Sequence, residues 1–275
     1  MVDLRAMPVA PPDVTVLIGA YENEATVARA VDSILSQTEE NLELIVIDDG
    51  SRDGSAEAAG KAIGSDPRGR VMRLERNLGI ARSLNAGMEA AAAPVIAIQD
   101  ADDYSAPNRL ERELAVLAAE PDVAVVGSRM KEVDGTGREL RPRTSFAAGD
   151  VGPLLMRFNP IPNGSAAFRK EVALELGGYD PSYRYATEYD LWLRIAERHR
   201  LVAIDEELAT RVMGGGNVAA RAERAQLAEG IQIRARALRR RQTLKGVSTL
   251  LRPALSYALP TPLKRALREG RGQAP

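Results

Sequence analysis

Val95-Ile96-Ala97-Ile98-Gln99-Asp100-Ala101-Asp102-Asp103 is an apolar run with strand character that ends in three carboxylates within four positions. Crowded carboxylates repel one another, so a strand that delivers them to one place needs a compensating cation or donor. A divalent metal with hard oxygen ligands is the natural partner. A second apolar run, Leu44-Ile45-Val46-Ile47, closes on Asp48-Asp49. Two strands ending in acids point to one pocket at the carboxyl edge of a sheet, where open α/β sheets bind their ligands. Acids also begin turns and cap helices, which explains one such cluster more easily than two.

Outward from these two strands the chain alternates. Val14–Ile18 reads as a buried strand, and Val27, Val31, Ile34 and Leu35 fall on one face of a helix. Ala56–Ile63 predicts a helix, Val71–Leu74 a strand and Ile80–Ala92 a helix. Pro107 opens another helix with Leu110, Leu114 and Leu117 on one face, and Val123–Val126 reads as a fifth strand. Such alternation implies parallel pairing and right-handed crossovers. The expected fold class is therefore α/β, with a mostly parallel central sheet flanked by helices.

The pattern then loosens. Arg141–Gly149 reads as a loop, Glu188–Arg198 as a helix with Leu191, Trp192 and Ile195 inward, and Val202–Ile204 as a small strand. Gly214-Gly215-Gly216 marks a hinge, and 218–245 a long arginine-rich helix. We expect one α/β domain over residues 1–217 and a basic, helical extension over 218–275.

Composition excludes several chemistries. Cysteine is absent and His199 is the only histidine, which removes thiolate zinc sites, cysteine nucleophiles and His-paired serine triads. Neither G-x-G-x-x-G nor G-x-x-x-x-G-K-[ST] occurs, so dinucleotide and P-loop readings fail. A phosphotransfer reading lacks the Thr and Lys that would support a nucleophilic Asp in the 100–103 run. Met1-Val2-Asp3-Leu4-Arg5 has no uninterrupted apolar core behind its charge, so no secretory leader is expected. No apolar run approaches the ~20 residues of a membrane span. A cytoplasmic protein is expected.

The net charge of -1 conceals an asymmetry: from Arg221 onward 13 Lys and Arg stand against 3 Asp and Glu. An acidic body suits a metal-dependent pocket, and a basic tail suits an anionic partner. Arg234, Arg236, Arg239, Arg240, Arg241 and Lys245 precede Leu250, Leu251, Leu255 and Leu259, then Lys264, Arg265 and Arg268. This pattern suits peripheral contact with the anionic inner face of a membrane, or equally a helix packed on a partner. Nucleic acid is not expected, because no aromatic residues interleave the charges.

In order along the chain stand Gly19-Ala20-Tyr21-Glu22-Asn23-Glu24, Ile34-Leu35-Ser36-Gln37-Thr38, Ile47-Asp48-Asp49-Gly50-Ser51, Asp100-Ala101-Asp102-Asp103, Gly177-Gly178-Tyr179-Asp180 and Tyr189-Asp190-Leu191-Trp192-Leu193-Arg194. Together these segments resemble a family 2 glycosyltransferase of the GT-A (Rossmann-like) fold, over roughly residues 13–217. The resemblance implies an inverting transfer of a sugar from a nucleotide-sugar donor to a glycan or lipid-linked acceptor hydroxyl. It also implies Mn²⁺ or Mg²⁺ as cofactor.

The resemblance assigns roles residue by residue. Tyr21 would lie against the base, and Asp49 would accept from the base or its sugar; a uracil N3–H suits a carboxylate, so a uridine donor is the first expectation. Asn77 and Arg82 fall where nucleotide or phosphate is held, Arg82 having the better chemistry because a guanidinium matches phosphate oxygens bidentately. Asp100 or Asp102 would touch the ribose, and Asp102 or Asp103 would ligate the metal. Alternation along an extended segment would turn Asp100 and Asp102 to the same side. Asp103 also reads as a helix-start acid ahead of Leu110.

Two departures matter. The family's Glu-Asp pair reads Thr187-Glu188 here, which makes Glu188 the candidate catalytic base on a side chain one methylene longer. Thr187-x-x-Asp190 also reads as a helix-capping pair. Where relatives carry an Arg-x-His, this chain has Arg211-Val212-Met213; a thioether is a poor ligand for a hard cation, so either the metal takes water there, or Arg211 helps hold the diphosphate, or activity is weak. These departures keep open an alternative, a degenerate relative that binds a nucleotide sugar without transferring it.

Overall fold

The computed structural model describes residues 11–140, 146–214, 218–240, 248–250 and 254. Its first half alternates as the sequence predicts: β1 (Val14–Ala20), α1 (Val27–Leu35), β2 (Leu42–Asp48), α2 (Ser55–Ile63), β3 (Gly69–Arg73), α3 (Ile80–Ala90) and β4 (Val95–Asp100). β3, β2, β1 and β4 lie side by side, all parallel. Successive residues of these strands feed two cores. Val16, Ile18, Leu44 and Val46 join Val27, Val31 and Ile34 of α1 on one face. Leu17, Ile45, Ile47, Ile96 and Ile98 join Leu84 and Met88 of α3 on the other. Burial on both faces is why these strands read as continuous apolar runs.

The second half comprises β5 (Tyr104–Ser105), α4 (Arg109–Ala119), β6 (Val123–Asp134), β7 (Gly149–Asp150), β8 (Ala166–Arg169), α5 (Lys170–Glu175), α6 (Thr187–Ile195), β9 (Arg200–Met213) and α7 (Val218–Arg240). The sheet continues past β4 as β8, β6, β9 and β5, with β7 on β9. β8 is antiparallel to both neighbours and separates β6 from β4. No strand is legible there in sequence, because Ala166-Ala167-Phe168-Arg169 carries neither alternation nor β-branching.

β6 and β9 outrun the short strands expected at Val123–Val126 and Val202–Ile204. They pair in parallel as far as Asp134 and Met213. Charged residues such as Lys131, Glu132, Glu206 and Glu207 interrupt their outer halves, so apolar patterning breaks while backbone pairing continues. α6 ends at Ile195, short of Arg198. Leu191, Trp192 and Ile195 are fully buried, as expected, and the Trp192 indole donates to the Ile161 carbonyl at 3.0 Å.

α7 packs Ile233 and Ala237 into the same core as α3 and α6. Gly215, Gly216 and the basic tail beyond Arg240, including Lys245, Leu255 and Lys264, lie outside the described residues apart from isolated positions such as Leu250. Among the described residues no helix is long and apolar enough to cross a membrane.

Candidate active site

At the carboxyl edge of β1 and β2 the chain leaves a cleft of about 540 Å³. Among the described residues five large apolar side chains are conspicuously exposed, and four of them, Tyr21, Leu78, Ile80 and Tyr185, line this cleft. Exposed apolar surface concentrated in one concavity marks a binding site. Asp49 lies beneath, 4% exposed, accepting the N–H groups of Leu78 at 2.7 Å and Gly79 at 2.8 Å. It serves the loop's backbone as a turn acid would, while also lining the cleft. Gly50 has φ +70°, and a Cβ there would lie 2.5 Å from the Arg76 carbonyl carbon, so only glycine lets the two loops meet. Asn77 lines the cleft, whereas Arg82 is exposed on α3 and is not part of the lining.

The acid cluster sits at the end of neighbouring β4. The Asp103 N–H donates to the Asp100 carbonyl at 3.2 Å, so the chain turns at Ala101-Asp102. The expectation that extended geometry aligns Asp100 with Asp102 therefore fails. Asp102 is exposed, and its carbonyl accepts from Arg29 at 2.6 Å. Asp103 is nearly buried and does not start α4, whose N-cap is Asn108. Instead it accepts the Val212 N–H at 2.8 Å, with the Arg211 Nε 3.9 Å away. Tyr104 and Ser105 pair with Thr210 and Ala209, lacing the end of β9 to the cluster. That lacing is how Arg211 reaches acids more than a hundred positions earlier.

These carboxyls repel as their spacing implies. Burial and the charge of Asp102 hold Asp100 above its ordinary range. Burial, then Asp100 and Asp102, push Asp103 up to about 7, and Arg211 pulls both down. Among the described residues no three His, Cys, Asp or Glu side chains are arranged to hold a metal by themselves. One or two carboxylates completed by phosphate oxygens and water are nonetheless what Mg²⁺ commonly takes, and hard oxygen donors that destabilise one another fit such an ion.

Beneath the cluster lies a network that sequence reading did not find. Arg109 is fully buried, and its guanidinium donates to Glu113 at 2.9 Å, Ser105 at 3.0 Å, Gln99 at 3.3 Å and the carbonyls of Ile98 at 2.9 Å and Ala166 at 3.2 Å. Its charge also lowers Asp100. Burial pushes Glu113 up to about 7 against the pull of Arg109.

Glu188 stands in the first turn of α6 and accepts the Asn159 amide at 2.9 Å. Burial pushes it up to about 7; Asp100 also raises it, while its own backbone N–H, Arg211 and Asn159 oppose. Glu188, Asp100 and Arg211 thus lie within electrostatic reach of one another. The helix N-cap is Ala186, so Thr187 and Asp190 form no capping pair. Asp190 instead binds Arg194 at 2.7 Å.

The last helix supplies a second unforeseen part. Glu229 of α7 accepts three consecutive N–H groups, from Arg184 at 2.9 Å, Tyr185 at 2.8 Å and Ala186 at 2.9 Å. It thereby satisfies donors left open where α6 begins, and fixes the loop that walls the cleft. The arginines offered to an anionic surface are partly turned inward. Arg234 binds the Tyr189 hydroxyl at 2.7 Å and the Arg157 carbonyl at 3.0 Å, Arg236 binds Asp180 at 2.7 Å, and Arg240 binds Glu197 at 2.9 Å. Arg239 is exposed, and Arg241 lies outside the described residues.

A mostly parallel sheet with an apolar-walled cleft, an acid cluster at its carboxyl edge and a raised carboxyl nearby matches a GT-A architecture. The chain belongs to glycosyl transferase family 2, whose model matches residues 15–175, and is a glycosyltransferase. Glu188 and α7 lie beyond that match. The chain is 28% identical over 206 residues to the amylovoran biosynthesis glycosyltransferase AmsE of Erwinia amylovora, covering 74% of this chain and 77% of that one. Its fold matches S. aureus TarS 1–349 in complex with UDP-GlcNAc, with TM-score 0.65, 17% identity and coverage of 82% and 71%. It also matches the mannosyltransferase PcManGT of Pyrobaculum calidifontis in complex with GDP-Man and Mn²⁺, with TM-score 0.65, 21% identity and coverage of 96% and 81%.

Proposed function

We propose that this chain moves a sugar from a nucleotide-sugar donor to a hydroxyl of a growing polysaccharide, with inversion at the anomeric carbon. The observation that carries this reading is the proximity of three features: the cleft walled by Tyr21 and Tyr185, the Asp100–Asp103 cluster on the neighbouring strand end, and Glu188 within electrostatic reach of Asp100 and Arg211. Tyr21 stacks on the base, and Asp49 and Asn77 hold the nucleoside. Asp100 takes the ribose. Arg82, outside the lining, reaches the donor only by swinging in, so Arg211 is the better phosphate partner.

Asp102 and Asp103 would hold Mn²⁺ or Mg²⁺, which when bound offsets the charge of the departing diphosphate. Glu188 takes the proton of the acceptor hydroxyl while its oxygen bonds the anomeric carbon and the bond to the diphosphate breaks. Arg211 is placed to receive charge that develops on the leaving group. The donor complexes of the two structural relatives and the biosynthetic role of the Erwinia relative support the donor and product classes. A uridine donor remains our first choice, since a carboxylate at Asp49 suits the uracil N3–H. Contact with an anionic membrane would fall to Arg239 and the basic residues beyond Arg240.

Thermal melting against uridine, guanosine, adenosine and cytidine diphosphates, with and without Mn²⁺, tests the reading. At a hundred times its Kd a ligand specific for the folded state adds about 2.7 kcal/mol. One diphosphate should raise Tm, more strongly with Mn²⁺. A folded sample that no diphosphate stabilises sinks the donor assignment.

A further inference from the structure

Between the start of α6 and α7 lies a second cavity, of about 210 Å³, into which Glu188 faces. Phe158 and Leu227 give it apolar walls, and Asn159 and Gln226 give it amides. One face apolar and one hydrogen-bonding is the chemistry of a sugar ring, whose C–H face packs on hydrocarbon while its hydroxyls meet amides. The volume is below the roughly 300–1,000 Å³ of pockets for drug-sized ligands, so it suits one ring rather than several.

Gly230 is the second, independent observation. It lies well inside α7, where glycine weakens a helix relative to alanine. It is buried, yet a Cβ added there would meet no atom within 4 Å. No close packing requires glycine, and its φ is not in the left-handed region. What the missing side chain preserves is the open volume of the cavity it lines.

We propose that this cavity receives the terminal sugar ring of the acceptor, with Gly230 kept small to admit it and Gln226 selecting among hydroxyl patterns. The inference rests on Glu188 as the base, because the cavity places a bound ring beside that carboxylate. It makes α7, which lies outside the matched family region, the element that chooses the acceptor.

The test is calorimetric titration of the full chain, loaded with its nucleoside diphosphate and Mn²⁺, with p-nitrophenyl glycosides of glucose, galactose, mannose and N-acetylglucosamine. At least one should bind wild type. Gly230→Leu should weaken it by about tenfold or more, since even one methylene in a fitted pocket is worth that. Gly230→Ala should weaken it less while melting no lower than wild type, and this variant remains readable if the leucine variant fails to fold. Nucleoside diphosphate affinity should be unchanged in both. Glycoside binding indifferent to either substitution, or absent from a protein that binds nucleotide, overturns the proposal. Glycoside binding that depends on Gly230 in a protein that binds no nucleotide would sink the donor reading and leave the cavity standing.

Discussion

Asp49 and Glu229 do the same physical work in two halves of the molecule. Each accepts consecutive backbone N–H groups and so fixes a loop on the cleft wall. Asp49 reaches about 30 positions along the chain, from one βα unit of the parallel sheet to the next. Glu229 reaches back about 44 positions from the last helix, and with Arg234, Arg236 and Arg240 it joins α7 to α6 and its approach. The first half is positioned by strand register, which every residue of β1, β2 and β4 helps to define. In the second half the loop before α6 is fixed by a few charged side chains of α7, added to the core that α6 and α7 share. Removing single residues should therefore damage the two halves differently.

The harshest break is Glu188→Gln. Loss of a general base typically lowers turnover by roughly 10²–10⁴, and nucleoside diphosphate affinity should hold. Because the carboxyl is pushed up to about 7 and a base must be ionised, wild-type turnover should rise with pH through that value. The rise should vanish in the glutamine variant. Turnover near wild type would place the base elsewhere, and a wild type that binds donor without turning over would revive the degenerate-binder reading.

Asp49→Ala should come next. Two hydrogen bonds to a charged group, at about 1.5–3 kcal/mol each, lose their acceptor. Urea unfolding should show a loss of about 3 kcal/mol, with nucleotide affinity falling alongside it. Unchanged affinity would mean that the loop keeps its shape through Gly50 and the strands alone.

Glu229→Ala should cost less, about 1–3 kcal/mol, because water reaches part of the loop it leaves. Its signature is different: turnover and nucleotide affinity should both fall, since one carboxylate holds Tyr185 of the cleft and the entry to Glu188. Glu229→Gln, with one acceptor oxygen retained, should lie between. A variant that loses stability alone would reduce Glu229 to a helix staple.

The mildest test compares Glu113 of α4 with Glu188 of α6. Both are pushed up to about 7 from an ordinary 4.5. A raised carboxyl stabilises the fold fully below its ordinary value, and that contribution is lost as pH rises through the folded one. Tm should fall between about pH 5 and pH 7.5, and Glu113→Gln or Glu188→Gln should each flatten the decline. A Tm that climbs over this range contradicts both assignments.

How much could be read in advance follows the same division. β1 to β4 and their terminal acids are legible because double-faced burial writes long apolar runs that stop abruptly at charge. Glu188, Tyr21 and Asp49 emerge from ordered segments that resemble a family. β8 leaves no trace, since two alanines, a phenylalanine and an arginine are strand-forming only between β4 and β6. The direction of Asp102 is decided by a turn that alternation does not foresee. Arg109 looks like an ordinary helix-start arginine until β4, β5 and β8 close around it. The arginines of α7 announce charge, but only the folded chain shows that Arg234 is buried and that Arg236 and Arg240 are paired with acids.

The Glu229 contact also has a consequence in time. During synthesis the N–H groups of residues 184–186 appear before their acceptor, and at about 5–20 residues per second the interval is a few seconds. Over that interval the entry to α6 lacks its tether and the cavity beside Glu188 lacks the α7 wall. The strands β1 to β4 are all made before residues 184–186, whereas the cleft wall at Tyr185 is not tethered until α7 has docked. Unfinished chains then carry the floor of the cleft without its fixed wall.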